Sequence, residues 1–192
     1  MVKNIIIAIL LILSAYCLLF LGRRVDPESG NLQALNVICD DYLAIVGNDQ
    51  SRFLNQGLSI VDSESYPKSA GELVGTGSRL VIRYSELNCQ SCIDTILFYA
   101  NDFASKCGKN KVAIWASYSY MRNYSIFLRM NKYDLDIYNV ADTVLNIDSR
   151  NMPYAFVLNE DLTISHLFIP HKEFPKMTKW YFSEVEKYLN KQ

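Results

Sequence analysis

The chain has 192 residues, with 19 basic and 20 acidic side chains and a formal net charge of −1. It carries no basic run and no stripe of interleaved basic and aromatic residues, so nothing in it resembles a nucleic-acid-binding surface. Half of the residues are hydrophobic, a share raised by one apolar run near the amino terminus.

That run is Ile5 to Leu21, 17 residues without a charge, flanked by Lys3 on one side and Arg23 and Arg24 on the other. It is at the lower edge of what spans a bilayer core and slightly long for the apolar region of a signal peptide, and no small-x-small cleavage site follows it. The expectation is an uncleaved signal anchor or transmembrane helix over residues 1–24. The flanking charges nearly balance under the positive-inside rule. A short leading segment usually leaves the next domain outside, which favours the extracytoplasmic side. Cys17 raises the alternative of lipidation, although Tyr16 rather than a small residue precedes it.

Residues 25–78 read as a helix and an extension ahead of the main domain, which covers 79–192. Asp26 to Gly30 form a linker with a helix-start signal. Leu32, Leu35, Cys39, Tyr42, Leu43 and Val46 then recur at three and four, predicting a helix that stops near Gly47 and Asn48. Cys39 lies on its apolar face as a small buried hydrophobe. From Gln50 to Gly77 the pattern weakens: Leu58 to Val61 is a candidate strand, while Pro67, Gly71, Gly75 and Gly77 mark turns.

The chain is organised around Arg79 to Lys106. Leu80 to Tyr84 is a strand, Ser85 to Asn88 a polar turn, and Cys89-Gln90-Ser91-Cys92 opens a helix with an apolar stripe at Ile93, Ile96, Leu97, Ala100, Phe103 and Ala104. A helix N-terminus carries unpaired N–H groups and roughly half a positive charge, which stabilises a thiolate. Cys89 is therefore the candidate nucleophile of thiol–disulfide exchange, and Cys92, one turn on, the candidate resolving thiol. The competing reading is half of a zinc knuckle, which needs two further ligands. His166, His171, Cys17, Cys39 and Cys107 do not repeat the short spacing, and no metal is expected.

Cys107 to Asn110 stop that helix, and Lys111 to Tyr118 is the next strand, completing a parallel strand–helix–strand unit. Cys107 is about 22 Å along the helix from Cys92, too far for a disulfide; it is read as packing or capping, with a bond to Cys39 left open. Asn123 to Lys132 predicts a short helix and Asp136 to Val140 a strand. Pro153 enters a strand over Ala155 to Asn159, Leu162 to Ile169 pairs back as a hairpin, and Phe174, Met177, Tyr181, Val185 and Tyr188 define a final helix starting near Pro175. His166 falls in a strand and His171 in a turn, both read as non-catalytic, and the many tyrosines read as packing.

The order strand, C-x-x-C, helix, strand, helix, strand, x-Pro, hairpin, helix resembles the thioredoxin fold over roughly Leu80 to Leu189. The long spacing from Cys92 to Pro153 and the amino-terminal anchor make it similar to membrane-anchored thiol–disulfide oxidoreductases of the TlpA/ResA type. The resemblance implies an α/β fold, a central mixed sheet flanked by helices. It also implies a cis bond between Met152 and Pro153, with Met152 and Pro153 lining a substrate groove; the alternative is an ordinary trans proline at a strand start. No bound cofactor is implied. The partners implied are protein dithiols or disulfides and a membrane or soluble electron-donor protein, with reduction the expected direction. The chain departs from thioredoxins at Asn88 in place of a Trp, at Gln90-Ser91 in place of Gly-Pro, and at Arg83 where thioredoxins bury an acid. Glu86 is a nearby carboxylate, read as a solvated loop acid. The rivals are a non-catalytic peptide-binding module on the same fold and a copper-delivery protein, the latter normally carrying wider cysteine spacing and a downstream histidine.

Overall fold

A run such as Leu80-Val81-Ile82, apolar on both faces, is satisfied only in the middle of a covered sheet. The computed structural model describes residues 42–44, 46–55, 57–75, 77–130, 135–171 and 174–191, and Ala44–Gln192 is one unit of it. Its strands are β1 (Ile60–Val61), β2 (Pro67–Lys68), β3 (Arg79–Ser85), β4 (Val112–Ser117), β5 (Asp136–Val140), β6 (Tyr154–Leu158) and β7 (Ile164–Phe168). The helices are α1 (Ala70–Val74), α2 (Gln90–Cys107), α3 (Met121–Met130) and α4 (Pro175–Leu189), with 3-10 turns at Lys109–Lys111 and Asn146–Arg150.

These strands form one mixed sheet in the order β2-β1-β5-β4-β3-β6-β7. As expected from the strand–helix–strand unit, β3 and β4 are parallel, and β5 extends the parallel set. β6 runs antiparallel to β3, and β7 antiparallel to β6. Val112, Ala113, Ile114, Trp115 and Ala116 of β4 are all buried, as a strand with neighbours on both sides must be. The six apolar residues expected on the inner face of α2 are the six it buries. Each large one is worth roughly 1.5–3 kcal/mol of hydrophobic stabilisation. Gly108 closes α2 at φ 100°, with its N–H donating to the Ala104 carbonyl.

The stretch from Gln50 to Gly77 has more order than its pattern promised. β1 lies where the Leu58 to Val61 run was expected, pairing antiparallel with β5 on one side and with β2 on the other. Pro67, expected only as a turn, opens β2 at the sheet edge, where its missing N–H costs no ladder bond. α1 follows from Ser69, whose Oγ caps the helix by accepting the Glu72 N–H at 3.2 Å while its hydroxyl donates to the Glu72 carboxylate at 3.0 Å. Further back, the chain runs along β7, with a bridge between Phe53 and Thr163. Asp49 is completely buried and accepts from Arg52, from the Asn146 side chain and from the Ile147 N–H. Those bonds tie it to the 3-10 turn ahead of β6.

The predicted α3 begins two residues earlier than expected, at Met121. The apolar run Ile5 to Leu21, Cys17, Cys39 and most of the helix expected from Leu32 lie outside the described residues. Among the described residues no helix is long and apolar enough to cross a membrane.

Candidate active site: a dithiol at a helix start

The turn out of β3 is built by its own polar side chains. The Asn88 N–H donates to the Ser85 carbonyl at 3.0 Å, and the Asn88 side-chain oxygen accepts the Ser85 N–H at 2.9 Å. This closed turn delivers Cys89 as the N-cap of α2, with its carbonyl accepting from the N–H groups of Cys92 and Ile93 at 3.0 and 3.1 Å. Cys89 is exposed and Cys92 half-buried, and both are thiols. The placement expected from sequence is found: two sulfur-bearing residues on the first turn of one helix.

The Cys89 thiol is held down to about 7. The Ser91 hydroxyl, 3.1 Å from the sulfur, contributes most, and the Cys92 backbone N–H at the helix start comes next. The charged form is thus stabilised by hydrogen bonds and by the helix end together. Near pH 7 about half of it is thiolate, the form that attacks a disulfide. Ser91, whose hydroxyl acts on this thiol, was passed over by sequence reasoning, which counted it only as a departure from Gly-Pro. Cys107, at the far end of α2, is half-buried, and burial pushes its thiol up.

The other candidates fall into place around this pair. Glu86 does not face the thiols: its carboxylate accepts the Ser119 N–H at 2.9 Å and the Asn123 amide at 3.1 Å, which hold it below the usual carboxylate range. It ties the dithiol turn to the loop before α3. Alternation along β3 turns Tyr84 and Arg83 to opposite faces. The Tyr84 ring meets Phe127 of α3, while the buried Arg83 guanidinium donates to the Val140 carbonyl at 2.7 Å, the Asp142 carbonyl at 3.1 Å and the Asp148 carboxylate at 3.1 Å. Arg83, noted in the sequence as a departure from the resemblance, is therefore a buried cation that ties the end of β5 and the loop after it to the 3-10 turn. His166 stands at a positive φ of 52° beside the register shift between β6 and β7, its ring against Tyr188 at 4.3 Å, and half-burial lowers its pKa. His171 packs against Phe174 at 5.4 Å.

Met152 is half-buried and Pro153 buried. Because Arg83 pairs with Tyr154, the two residues before Tyr154 lie at the end of β3 that leads to Cys89. The implied cis bond is not found: among the described residues there is no cis peptide. The chain reverses one residue earlier, where Asn151 takes the left-handed conformation at φ 52° and closes the 3-10 turn, so the proline simply starts a strand.

No family model matches the chain, and no curated protein does. Solved structures do. A thiol:disulfide interchange protein from Bacteroides sp. superposes with a TM-score of 0.50 at 11% identity, covering 73% of this chain and 90% of its own. The peroxidoxin BcpB of Mycobacterium tuberculosis gives 0.51 at 12%, covering 71% and 97%, and PrxQ of Xylella fastidiosa 0.52 at 9%, covering 72% and 96%. At such identities the likeness is one of fold.

Proposed function

We propose that this chain, whose fold is thioredoxin-like, is a membrane-tethered thiol–disulfide oxidoreductase that reduces protein disulfides on the extracytoplasmic side. The observation that carries the reading is the exposed, acidified Cys89 at the first turn of α2, with Cys92 one turn on. The Cys89 thiolate attacks a substrate disulfide, forming a mixed disulfide and releasing one substrate thiolate. Cys92 then attacks Cys89, releasing the second substrate thiolate and leaving a Cys89–Cys92 disulfide. Two electrons from the dithiol of a partner protein restore the thiols, and no bound cofactor takes part. The backbone at Met152 and Pro153, at the same sheet end, is suited to pair with an extended substrate. The apolar run from Ile5 to Leu21 supplies the tether.

The test is insulin reduction by the full chain in neutral detergent with a dithiol reductant. Cys89→Ser abolishes turnover, and Cys92→Ser accumulates mixed disulfides with substrate. Full turnover by both variants would sink the assignment, and a Cys89–Cys92 disulfide that resisted strong reductant would fit a binding module instead. Labelling of Cys89 in intact cells by a membrane-impermeant thiol reagent tests the side of the membrane.

A further inference from the structure

The start of α4 has the proline a first turn favours, Pro175, but departs from two other rules of helix stability. Its N-cap, Phe174, makes no side-chain capping bond, and its first turn holds no acid, although the positive end of the helix dipole favours one. Lys176 stands there instead, followed by Lys179, and neither belongs to an ion pair among the described residues. Beside them Met177 is 49% and Trp180 63% exposed. A sequence that departs from local rules in this way marks a functional surface more often than an accident.

The fold brings this surface next to the dithiol. β3 and β7 are both antiparallel to β6, so they run the same way, and α2 and α4 leave from the same end of the sheet. The helices lie side by side: Tyr99 stacks on Phe182 at 5.6 Å, and Phe103 meets the same ring at 6.1 Å. Counting back six residues from the midpoint of those two contacts, Lys176 is level with Thr95. It is then roughly 9 Å below Cys89 along the axis, on a helix about 10 Å away, about 13 Å in all. That exceeds the ~8 Å screening length at physiological salt, so the lysines act on the flanks of a polypeptide laid across both helix starts rather than on the sulfur itself, and most strongly at low salt. Of the acids on α2, Asp102 is paired with Lys106 at 2.6 Å and Asp94 accepts the Gln90 amide at 2.8 Å.

We infer that Lys176, Met177, Lys179 and Trp180 form the docking face for an acidic polypeptide that presents its disulfide to Cys89. The inference rests on the thiol-exchange reading above and names its substrate class. Lysines and a tryptophan also suit an anionic lipid surface, but a patch this near the exposed sulfur, pressed onto a bilayer, would obstruct the approach of any protein disulfide. The lysines raise the rate of encounter, and Met177 and Trp180 hold the apolar part of the partner. In the step itself the Cys89 thiolate displaces one sulfur of the partner's disulfide, which leaves as thiolate, and no other oxidant or reductant is consumed.

The test uses the full-length Cys92→Ser chain in neutral detergent and two synthetic peptides of equal length. Each contains one disulfide, flanked by Asp and Glu in one and by Lys in the other, and 2-hydroxyethyl disulfide serves as the uncharged reference. The expected result is that the acidic peptide forms the mixed disulfide roughly three- to tenfold faster than the basic one at low salt. The gap closes at high salt, and Lys176→Gln with Lys179→Gln brings the ratio towards one. Equal rates for the two peptides, or a ratio unchanged in the double variant, would overturn the docking face. Loss of binding to phosphatidylglycerol vesicles by a double variant that keeps its peptide ratio would overturn it in favour of lipid. If the uncharged disulfide also failed to react at Cys89, the thiol-exchange reading itself would fall, and the docking face with it.

Discussion

The Ser91 hydroxyl lies 3.1 Å from the sulfur of Cys89, and it is the largest influence lowering that thiol to about 7. A hydroxyl rotates to suit its partner, so it donates once the sulfur is charged. Ser91→Ala removes that donor and leaves the backbone N–H of Cys92. The iodoacetamide pH profile of Cys89 then moves towards the ordinary thiol range, and its rate at pH 7 falls roughly three- to tenfold. Ser91→Thr, which keeps the hydroxyl, retains most of the rate. A profile unmoved by Ser91→Ala would assign the acidity to the helix end alone.

The cysteines should separate by reactivity. Cys89 is about half ionised at pH 7, whereas Cys107, raised by burial above the ordinary 9.0, is at most about 1% ionised there. The resulting ~50-fold excess of thiolate is partly offset, because a thiolate two units less basic is roughly tenfold less nucleophilic. Cys89 is therefore expected to be alkylated roughly fivefold faster or more, the half-burial of Cys107 widening the gap. Below pH 7 the Cys89 rate falls as its thiolate is protonated, and above it the rate levels off. Brief alkylation followed by peptide mass mapping reads both sites in one sample.

Arg83 should matter for stability rather than for thiol acidity. It is 3% exposed and serves two strand-end carbonyls and Asp148 at once, and it is absent from the influences on Cys89. Arg83→Met keeps much of the volume but takes the cation from Asp148, which retains only the backbone N–H groups of Val144 and Leu145, and removes the guanidinium donor from the Val140 carbonyl. The expected loss is about 3–5 kcal/mol, the range for removing one partner of a buried pair. Arg83→Lys recovers only part of it, since one ammonium cannot reproduce the fork. Urea unfolding with an unchanged m-value checks the magnitude.

What could be read from the sequence were the features carried by periodicity and by punctuation. Six apolar residues at helical spacing between Cys89 and Gly108 identified both the inner face of α2 and its ends, and the polar turn Asn159-Glu160-Asp161 between two apolar runs identified the β6–β7 hairpin. What could not be read were features set by contacts distant in the chain. Nothing near Arg83 says that its guanidinium reaches Val140 and Asp142, 57 and 59 residues on. The Asn146–Arg150 turn is too short to show a period; it is held by Asp49, 98 residues before Ile147. β2, with two residues and a proline at its start, lies below any strand signal, whereas β1 fell inside the candidate run from Leu58 to Val61. The Ser69-x-x-Glu72 signature of a capped helix start was legible and was passed over. The cis proline came from resemblance alone, and the chain makes its reversal at Asn151 instead.

Gly108 ties the dithiol helix to the strand that follows it, and its backbone tests that junction. At φ 100° and ψ 142° it occupies a region open almost only to glycine. A Cβ built there would stand 2.8 Å from the Asn110 side-chain oxygen, which a rotation of that side chain could relieve, whereas the backbone strain would remain. Gly108→Ala is therefore expected to cost about 1–3 kcal/mol, read as a lower urea midpoint. Cys89 is at the opposite end of an 18-residue helix, some 27 Å away at ~1.5 Å per residue. Its alkylation profile should hold while stability falls. A fall in stability accompanied by a shift in that profile would mean that the far end of α2 helps set the geometry of the first turn, and that the helix start is not determined locally by Asn88, Ser91 and the cap.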